Sequence, residues 1–376
     1  MPPILGKTDA FIVGGGPVGL ATAIALRARG FSVTVADPAL PPIDKACGEG
    51  LMPDALESLA RLGVSLRPET CFPFRGIRFL GPGTAVDASF PHGSGVGIRR
   101  TNLHQALIDR AEKVGATLLW GTLVKGLTQT GGVPGVILDR GRVECKWVVG
   151  ADGENSHVRE WAGLDRTRHS SLRYGFRRHY RITPWADCVE IYWGPSSQVY
   201  VTPIGPQEIC VAVISRDSRL RLEHALPQHT QLFERLKTAP VTTAERGAVS
   251  ATRRLARVYN NRVVLVGDAS GSVDAITGEG LRLGFEQGMA LADALVSGDL
   301  REYSVAHRRL ARRPAFMAAL MLSLDRSAWL RRHVLRALAD DPGIFATQLA
   351  MHVGGSSSAE FIRYSMLPLG RRLLVA

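Results

Sequence analysis

Three apolar runs set the frame of the chain. Phe11, Ile12 and Val13 run into three glycines. Trp147, Val148 and Val149 run into Gly150-Ala151-Asp152-Gly153. The run from Arg262 to Gly267 (RVVLVG) ends at Asp268. Short apolar runs stopped by small and acidic residues read as buried strands of a parallel sheet. After the first comes an Ala- and Leu-rich helix, Val18–Arg29, closed by Gly30, and then a second strand, Phe31–Ala36, with Asp37 at its end.

The pattern changes between these runs. Pro38, Pro41 and Pro42 forbid helix, and a loop covers 44–50. Pro53 opens a helix over Asp54–Leu62, ended by Gly63. Residues 74–90 predict two short strands around Gly81-Pro82-Gly83. The stretch 97–116 predicts an amphipathic helix with Leu103, Ala106, Leu107, Ala111 and Val114 on one face. Strands are expected over Thr117–Leu127, Gly135–Asp139 and Arg142–Val149, with a turn at Gly131-Gly132. From Tyr174 to Ser215 apolar and polar residues alternate between Gly-Pro turns at 194–195 and 205–206, which predicts an antiparallel sheet. A helix over His229–Leu236 leads back to the third run. Beyond it Gly271, Gly278, Gly280 and Gly284 precede a helix through Leu295. Four more helices are expected, Tyr303–Arg313, Pro314–Asp325, Ala328–Ala339 and Pro342–His352, then a loose linker over 353–358 and a short basic-apolar stretch, Glu360–Ala376.

Chemistry enters with the glycines. Gly14, Gly16 and Gly19 have G-x-G-x-x-G spacing between a strand and a helix. The first permits a tight turn, the second lets backbone approach a pyrophosphate, and the third lets the helix pack on the strand. Pro17 stands at the helix start, and the free N–H groups there favour an anion. Asp37, 23 residues beyond Gly14, suits a carboxylate that takes a ribose hydroxyl.

Composition narrows the class. The chain has 376 residues and 45% apolar content, enough for two domains. Its net charge is +12, from 46 basic and 34 acidic residues. Arginine dominates the basic set, so anionic lipid or acidic cofactors are candidate partners. Solvated faces in an Arg-rich composition are the plainer reading, and no nucleic-acid partner is expected. Five cysteines are scattered with no C-x-x-C pair, so no metal site is expected and a reducing cytoplasm is inferred. The N-terminus does not read as a signal peptide, and no run is long enough to span a membrane.

Together the glycine fingerprint, the GADG at 150–153 with Arg159, and GDASGSVDAITGEG at 267–280 resemble the FAD-binding superfamily of aromatic-ring monooxygenases, geranylgeranyl reductases and flavin halogenases. The likeness covers about residues 9–300. It implies an α/β fold: a Rossmann-like FAD-binding domain, an inserted antiparallel-sheet substrate domain and a helical C-terminus. The division it suggests is 1–170 for the first part of the FAD domain (with substrate-domain strands near 74–95), 171–245 for the substrate domain, 246–300 for the last part of the FAD domain, and 301–376 for the C-terminal helices.

The same likeness assigns roles. Gly14, Gly16, Pro17 and Gly19 would meet the pyrophosphate and Asp37 the ribose. Arg100, in Arg-x-x-Leu ahead of a helix, would face the phosphates, with Arg99 its competitor. Asp152 would help hold FAD, and Gly267-Asp268 would meet the ribityl chain. Gly278, Gly280 and Leu281 would bring a helix N-terminus to the flavin pyrimidine, where it favours the anionic reduced ring. Asp152 and Asp268 could equally cap helices. Lys45, Cys47, Glu49 and Tyr200 are candidate catalytic residues. Tyr192, Trp193 and Pro203 are further candidate lining, and Arg177, Arg178 and His179 read as a solvated or interdomain strand.

Departures from the aromatic hydroxylases include Gly271 and Ala275, which stand where those enzymes carry His and Pro. The ITGEG wording and Cys47-Gly48 are nearer the geranylgeranyl reductases. No Trp-x-Trp-x-Ile-Pro is present, which argues against chlorination. DKACGEGLMP is similar to oxidoreductases found beside type III polyketide synthases. The leading expectation is an NAD(P)H-using FAD monooxygenase acting on an apolar aromatic or polyketide-type substrate. The alternative is a flavin ene-reductase acting on a polyprenyl or lipid chain, and a flavin-binding protein without turnover is a third. NADPH or NADH would visit FAD transiently, because no second glycine fingerprint exists, or an external reductase would supply electrons. The basic C-terminal helices either touch the inner face of an anionic membrane or simply cover the domain.

Overall fold

The three apolar runs become neighbours in one sheet. In a computed structural model describing residues 3–130 and 133–375, Ile4–Val13 pairs in parallel with Val33–Asp37 on one side and Gly141–Gly150 on the other. Gly141–Gly150 pairs in parallel with Val263–Leu265. The register sets Val13 opposite Gly150, and Gly150 opposite Leu265. All three motifs therefore leave the sheet at the same edge, the carboxyl ends of parallel strands, where open α/β sheets bind ligands. The Gly131-Gly132 turn lies outside the described residues.

Burial explains this sheet. Phe11 and Ile12 are fully buried, as is Val149. Each such side chain contributes about 2 kcal/mol of transfer free energy. The Pro17–Ala28 helix packs on one face with Gly280–Ser297 against it. Side chains at Gly284 and Gly288 would collide with Val18 and Thr22, so two glycines set the close spacing of these helices. The predicted strand Thr117–Leu127 is two strands. Thr117–Trp120 extends the parallel sheet, while Val124–Thr130 joins an antiparallel flap with Val133–Leu138. Gly121, at φ +66°, makes the break.

A seven-stranded sheet forms the second layer. Its order is Arg246–Leu255, Thr167–Tyr180, Glu208–Ser215, Ser197–Gly205, Val189–Trp193, Gly76–Gly81 and Thr84–Ser89. Arg246–Leu255, assigned from sequence to the last part of the FAD domain, is hydrogen-bonded along Thr167–Tyr180 in this sheet. The chain returns to the first sheet only at Tyr259. Alternation along these strands sends Tyr192 toward the helices Leu222–Ala225 and Thr230–Leu236, and Trp193 toward the C-terminal helices.

The C-terminal region departs from expectation in two places. Leu300–Arg326 is one helix through Pro314, not two. An internal proline costs about 3 kcal/mol. Here buried Leu300, Tyr303, Met317, Ala318, Leu322 and Leu324 on both sides of Pro314 hold the helix against the rest of the protein. The final stretch is helical too: Ser358–Phe361 begins with a Ser357/Glu360 capping box, followed by a wide turn over Ile362–Met366 and a helix over Leu367–Val375.

Candidate active site

The glycine loop divides its labour by position. Gly14 has φ +109°, and a Cβ there would stand 2.4 Å from the Ala151 carbonyl oxygen. The first motif therefore touches the second directly. A Cβ at Gly19 would stand 1.9 Å from the Gly14 carbonyl, which only glycine avoids. A Cβ at Gly16 would meet nothing within 4 Å. That open side lies at the start of the Pro17–Ala28 helix, whose first-turn N–H groups have no helical partner. Asp37 accepts from the Gly15 N–H at 2.8 Å and from the Ala39 N–H at 2.8 Å.

His104 was not foreseen. Its Nδ1 accepts from the Ile43 N–H at 3.1 Å, so its Nε2 carries the proton and donates to the Gly15 carbonyl at 2.7 Å. Burial holds its pKa below the usual imidazole range. A neutral histidine thus ties the glycine loop to the proline-rich loop and the Arg100–Lys113 helix. The available signal was its place four residues after Arg100, on the same helix face.

Arg99 and Arg100 separate cleanly. Arg99 binds Glu208 at 2.5 Å and His179 at 3.0 Å. Arg100 lines the central cavity, and its buried Nε has no partner among the described residues. The two acids separate as well. Asp152 accepts from the Ser156 hydroxyl at 2.5 Å and the Val158 N–H at 3.1 Å, so its carboxylate is engaged with the His157–Trp161 helix start. Asp268 is exposed at the cavity wall and makes no side-chain bond among the described residues. Gly267 turns the chain at φ +58° against Val18. Gly278, at φ +71°, and Gly280 leave open space at the start of the Gly280–Ser297 helix, with Leu281 on the cavity wall. Arg159 explains why GADG and GDAS travel together. Its buried guanidinium donates to the Glu154 and Ala269 carbonyls and pairs with Asp165 at 2.7 Å.

A cavity of about 320 Å³ opens between the two sheets. Arg100, Asp268, Gly278 and Gly280 line one side, and apolar Val189, Ile191, Val213 and Ile214 of the second sheet line the other. An unpartnered guanidinium, a free carboxylate and a glycine loop that leaves backbone N–H groups open fit the phosphates and hydroxyls of a dinucleotide.

Lys45, Cys47, Glu49 and Tyr200 all reach this cavity. Lys45 is exposed, and its Nζ lies beside Gly153. The Cys47 sulfur accepts from the Glu49 N–H at 3.5 Å. The Tyr200 hydroxyl donates to the Ile276 carbonyl at 3.0 Å, and burial pushes its pKa up. Tyr200 therefore holds the 275–277 turn. The other proposed lining residues do not reach the cavity. Tyr192 donates to Glu190 behind the sheet, and Trp193 is core against Phe79. The Pro203 carbonyl backs Gly97.

Of the two readings of the Arg177-Arg178-His179 strand, the contacts match the interdomain one rather than the solvated one. Arg177 and His179 are buried, and Arg177 pairs with Asp44 across to the cofactor loop. Arg99 and Arg177 can only donate, so His179 Nδ1 accepts from both, at 3.0 and 3.1 Å. Its Nε2–H then donates to Glu49 at 2.6 Å. Glu49 also accepts the Arg100 backbone N–H at 2.9 Å and holds a left-handed φ of +59°. Glu49, His179 and Cys210 bring their ligand atoms within 4.8 Å of one another. With two guanidiniums on the imidazole, this group suits a hydrogen-bond network better than a cation.

A second chamber of about 270 Å³ adjoins the first. Met52, Ile77, Ile191, Ile276 and Thr277 line both. Most of the rest of its wall is apolar side chains of the C-terminal helices, among them Met317, Leu324, Leu330, Val334, Leu349 and Leu369, with Ser323, Gln348 and His352 as polar members. Beside the partition, buried Glu279 pairs with Arg282 at 2.9 Å, and both Arg282 and Arg313 reach Asp54. The C-terminal helices are thus fastened to the helix that opens at Gly280.

The comparisons agree with this geometry. The model of the FAD binding domain family matches residues 7–298. Menaquinone reductase of Mycolicibacterium smegmatis is 30% identical over 328 residues, covering 80% of this chain and 79% of that one. Digeranylgeranylglycerophospholipid reductase of Methanocaldococcus jannaschii is 25% identical over 299 residues, 75% of each. The 6-methylpretetramide 4-monooxygenase of Streptomyces rimosus is 28% identical over 349 residues, 82% and 80%. A flavoprotein/dehydrogenase from Cytophaga hutchinsonii superposes with a TM-score of 0.84 at 17% identity, covering 98% and 99%.

Proposed function

Because this chain belongs to the FAD binding domain family and is an FAD-dependent oxidoreductase, we propose that it reduces a carbon–carbon double bond in a long apolar substrate. The observation that carries the reading is that a second apolar chamber adjoins the cofactor cavity, the two sharing Ile276 and Thr277 as wall residues. An aromatic ring alone needs no such extension. A prenyl or polyketide chain fills it, and burial of each methylene there is worth about 0.8 kcal/mol. The reductases named above favour the same chemistry.

In this reading the glycine loop and Arg100 hold the pyrophosphate, Asp37 the ribose, and Asp268 the ribityl chain. Asp152, engaged by the Ser156 hydroxyl and the Val158 N–H, acts by shaping the GADG turn. FAD, when bound, supplies a hydride received from NADPH, NADH or an external reductase. Cys47 stands on the cavity wall as the proton donor to the second carbon, with Lys45 beside it and Glu49 holding the loop. The apolar walls exclude water from the reacting bond. Peripheral contact with an anionic membrane belongs to this reading, since such substrates reside in lipid.

A second reading, hydroxylation of a polyketide ring, is favoured by the likeness to the Streptomyces rimosus monooxygenase. The chamber's part in either reading is testable. Leu330→Trp, which fills the second chamber, should raise KM for long-chain acceptors about tenfold or more and leave short-chain acceptors unchanged. Equal effects on both would remove the chamber from the account.

A further inference from the structure

The C-terminal helices wrap the second chamber with one face and present an unusual outer face. Residues 300–376 hold twelve arginines against five acids. Phe316, Trp329, Ile362, Tyr364 and Leu367 are each close to half exposed there. They are interleaved with exposed arginines at helical spacing: Arg312 with Phe316, Trp329 with Arg332 and Arg336, Leu367 with Arg371. Each is also next in sequence or one turn away from a chamber residue, as Phe316 is to Met317 and Leu320, Trp329 to Leu330, and Leu367 to Met366 and Leu369. Phe316 meets Phe361 edge-on at 5.6 Å, which joins the long helix to the last segment.

A protein-binding groove concentrates its apolar residues. Here single bulky residues alternate with arginines along each of the helices. That is the composition of a surface lying in the headgroup region, with rings at the acyl boundary and guanidiniums on phosphates. Among the described residues no helix is long and apolar enough to cross a membrane, and the proposed contact is with one leaflet.

We propose that this outer face, centred on Phe316, Trp329 and Leu367 with Arg312, Arg332 and Arg371, docks on an anionic lipid bilayer and brings the second chamber against it. The inference rests on the reading of an apolar lipid-borne substrate, and it adds the surface and the route of entry. The chamber wall is then also the membrane-facing layer, so an apolar chain passes from the leaflet between the helices without crossing water.

The test is flotation of the FAD-loaded full-length protein with vesicles of phosphatidylcholine alone and of phosphatidylcholine mixed with phosphatidylglycerol. Binding to the anionic vesicles only, weakened by salt, is expected. Each arginine near the surface contributes about fivefold, so the double variant Arg332→Gln/Arg371→Gln should bind about 25-fold more weakly. Trp329→Ser should also weaken binding, with FAD content and melting temperature unchanged in both variants. Equal binding to both vesicle types, no binding to either, or a concentration-dependent dimer abolished by Trp329→Ser would each overturn the proposal. Flotation failing while detergent-borne substrate is still reduced would sink the surface and keep the reading. Flotation succeeding without turnover would do the reverse.

Discussion

His179 Nε2 stands 2.6 Å from Glu49 Oε2, and both groups are buried. The pair joins the substrate sheet to the loop that carries Cys47. Two arginines crowd the Nδ1 side of the imidazole, so its Nε2 faces the carboxylate and donates to it. His179→Ala leaves a buried carboxylate short of a donor and should cost about 2 kcal/mol of stability. The check is a lowered melting temperature together with a rise in Cys47 alkylation rate as the loop loosens.

Gly16 and Gly19 should behave oppositely although they sit in one motif. Gly19→Ala drives a methyl into the Gly14 carbonyl and should destabilise the apoprotein. Gly16→Val meets open space, so the apoprotein should melt normally while FAD no longer binds. Calorimetry of the apoprotein and flavin fluorescence quenching separate the two.

Arg100→Ala should weaken FAD affinity about tenfold or more, the value of one charge-assisted contact to phosphate. Arg99→Ala should instead lower stability through loss of Glu208 and His179, with a smaller effect on FAD. Titration of both apoproteins with FAD decides this.

His307 supplies a pH dependence. It accepts the Ser270 hydroxyl, or donates to it, at 2.8 Å beneath the Asp268 loop, and burial lowers its pKa from 6.5 to about 4. The folded state therefore binds fewer protons than the unfolded chain between these values. Its contribution is intact above about pH 6.5 and is lost as pH falls toward 4, by about 2 kcal/mol near pH 5. Melting temperature followed against pH should fall over this window in the wild type and less steeply in His307→Gln.

Much of this was legible in the sequence because it is local. A strand, a glycine spacing, a helix and an acid lie within thirty residues, and their geometry follows from backbone rules. Arg100 over Arg99 was not decidable, since the choice depends on Glu208, over a hundred residues away. The burial of Arg177 and His179 was hidden for the same reason: Asp44 and Glu49 come from another layer. The continuity of helix through Pro314 was missed because tertiary packing overrides the local cost. Most of the second chamber's wall comes from C-terminal helices that read as ordinary amphipathic cover.

The central claim is best tested by reducing the protein anaerobically with dithionite, adding a geranylgeranyl lipid that carries no quinone, and analysing the flavin spectrum and the product mass. Reoxidation of the flavin without oxygen, with a product heavier by two hydrogens, is the predicted result. A flavin that stays reduced until air is admitted, with a product heavier by one oxygen atom, would contradict the account and make the protein a monooxygenase.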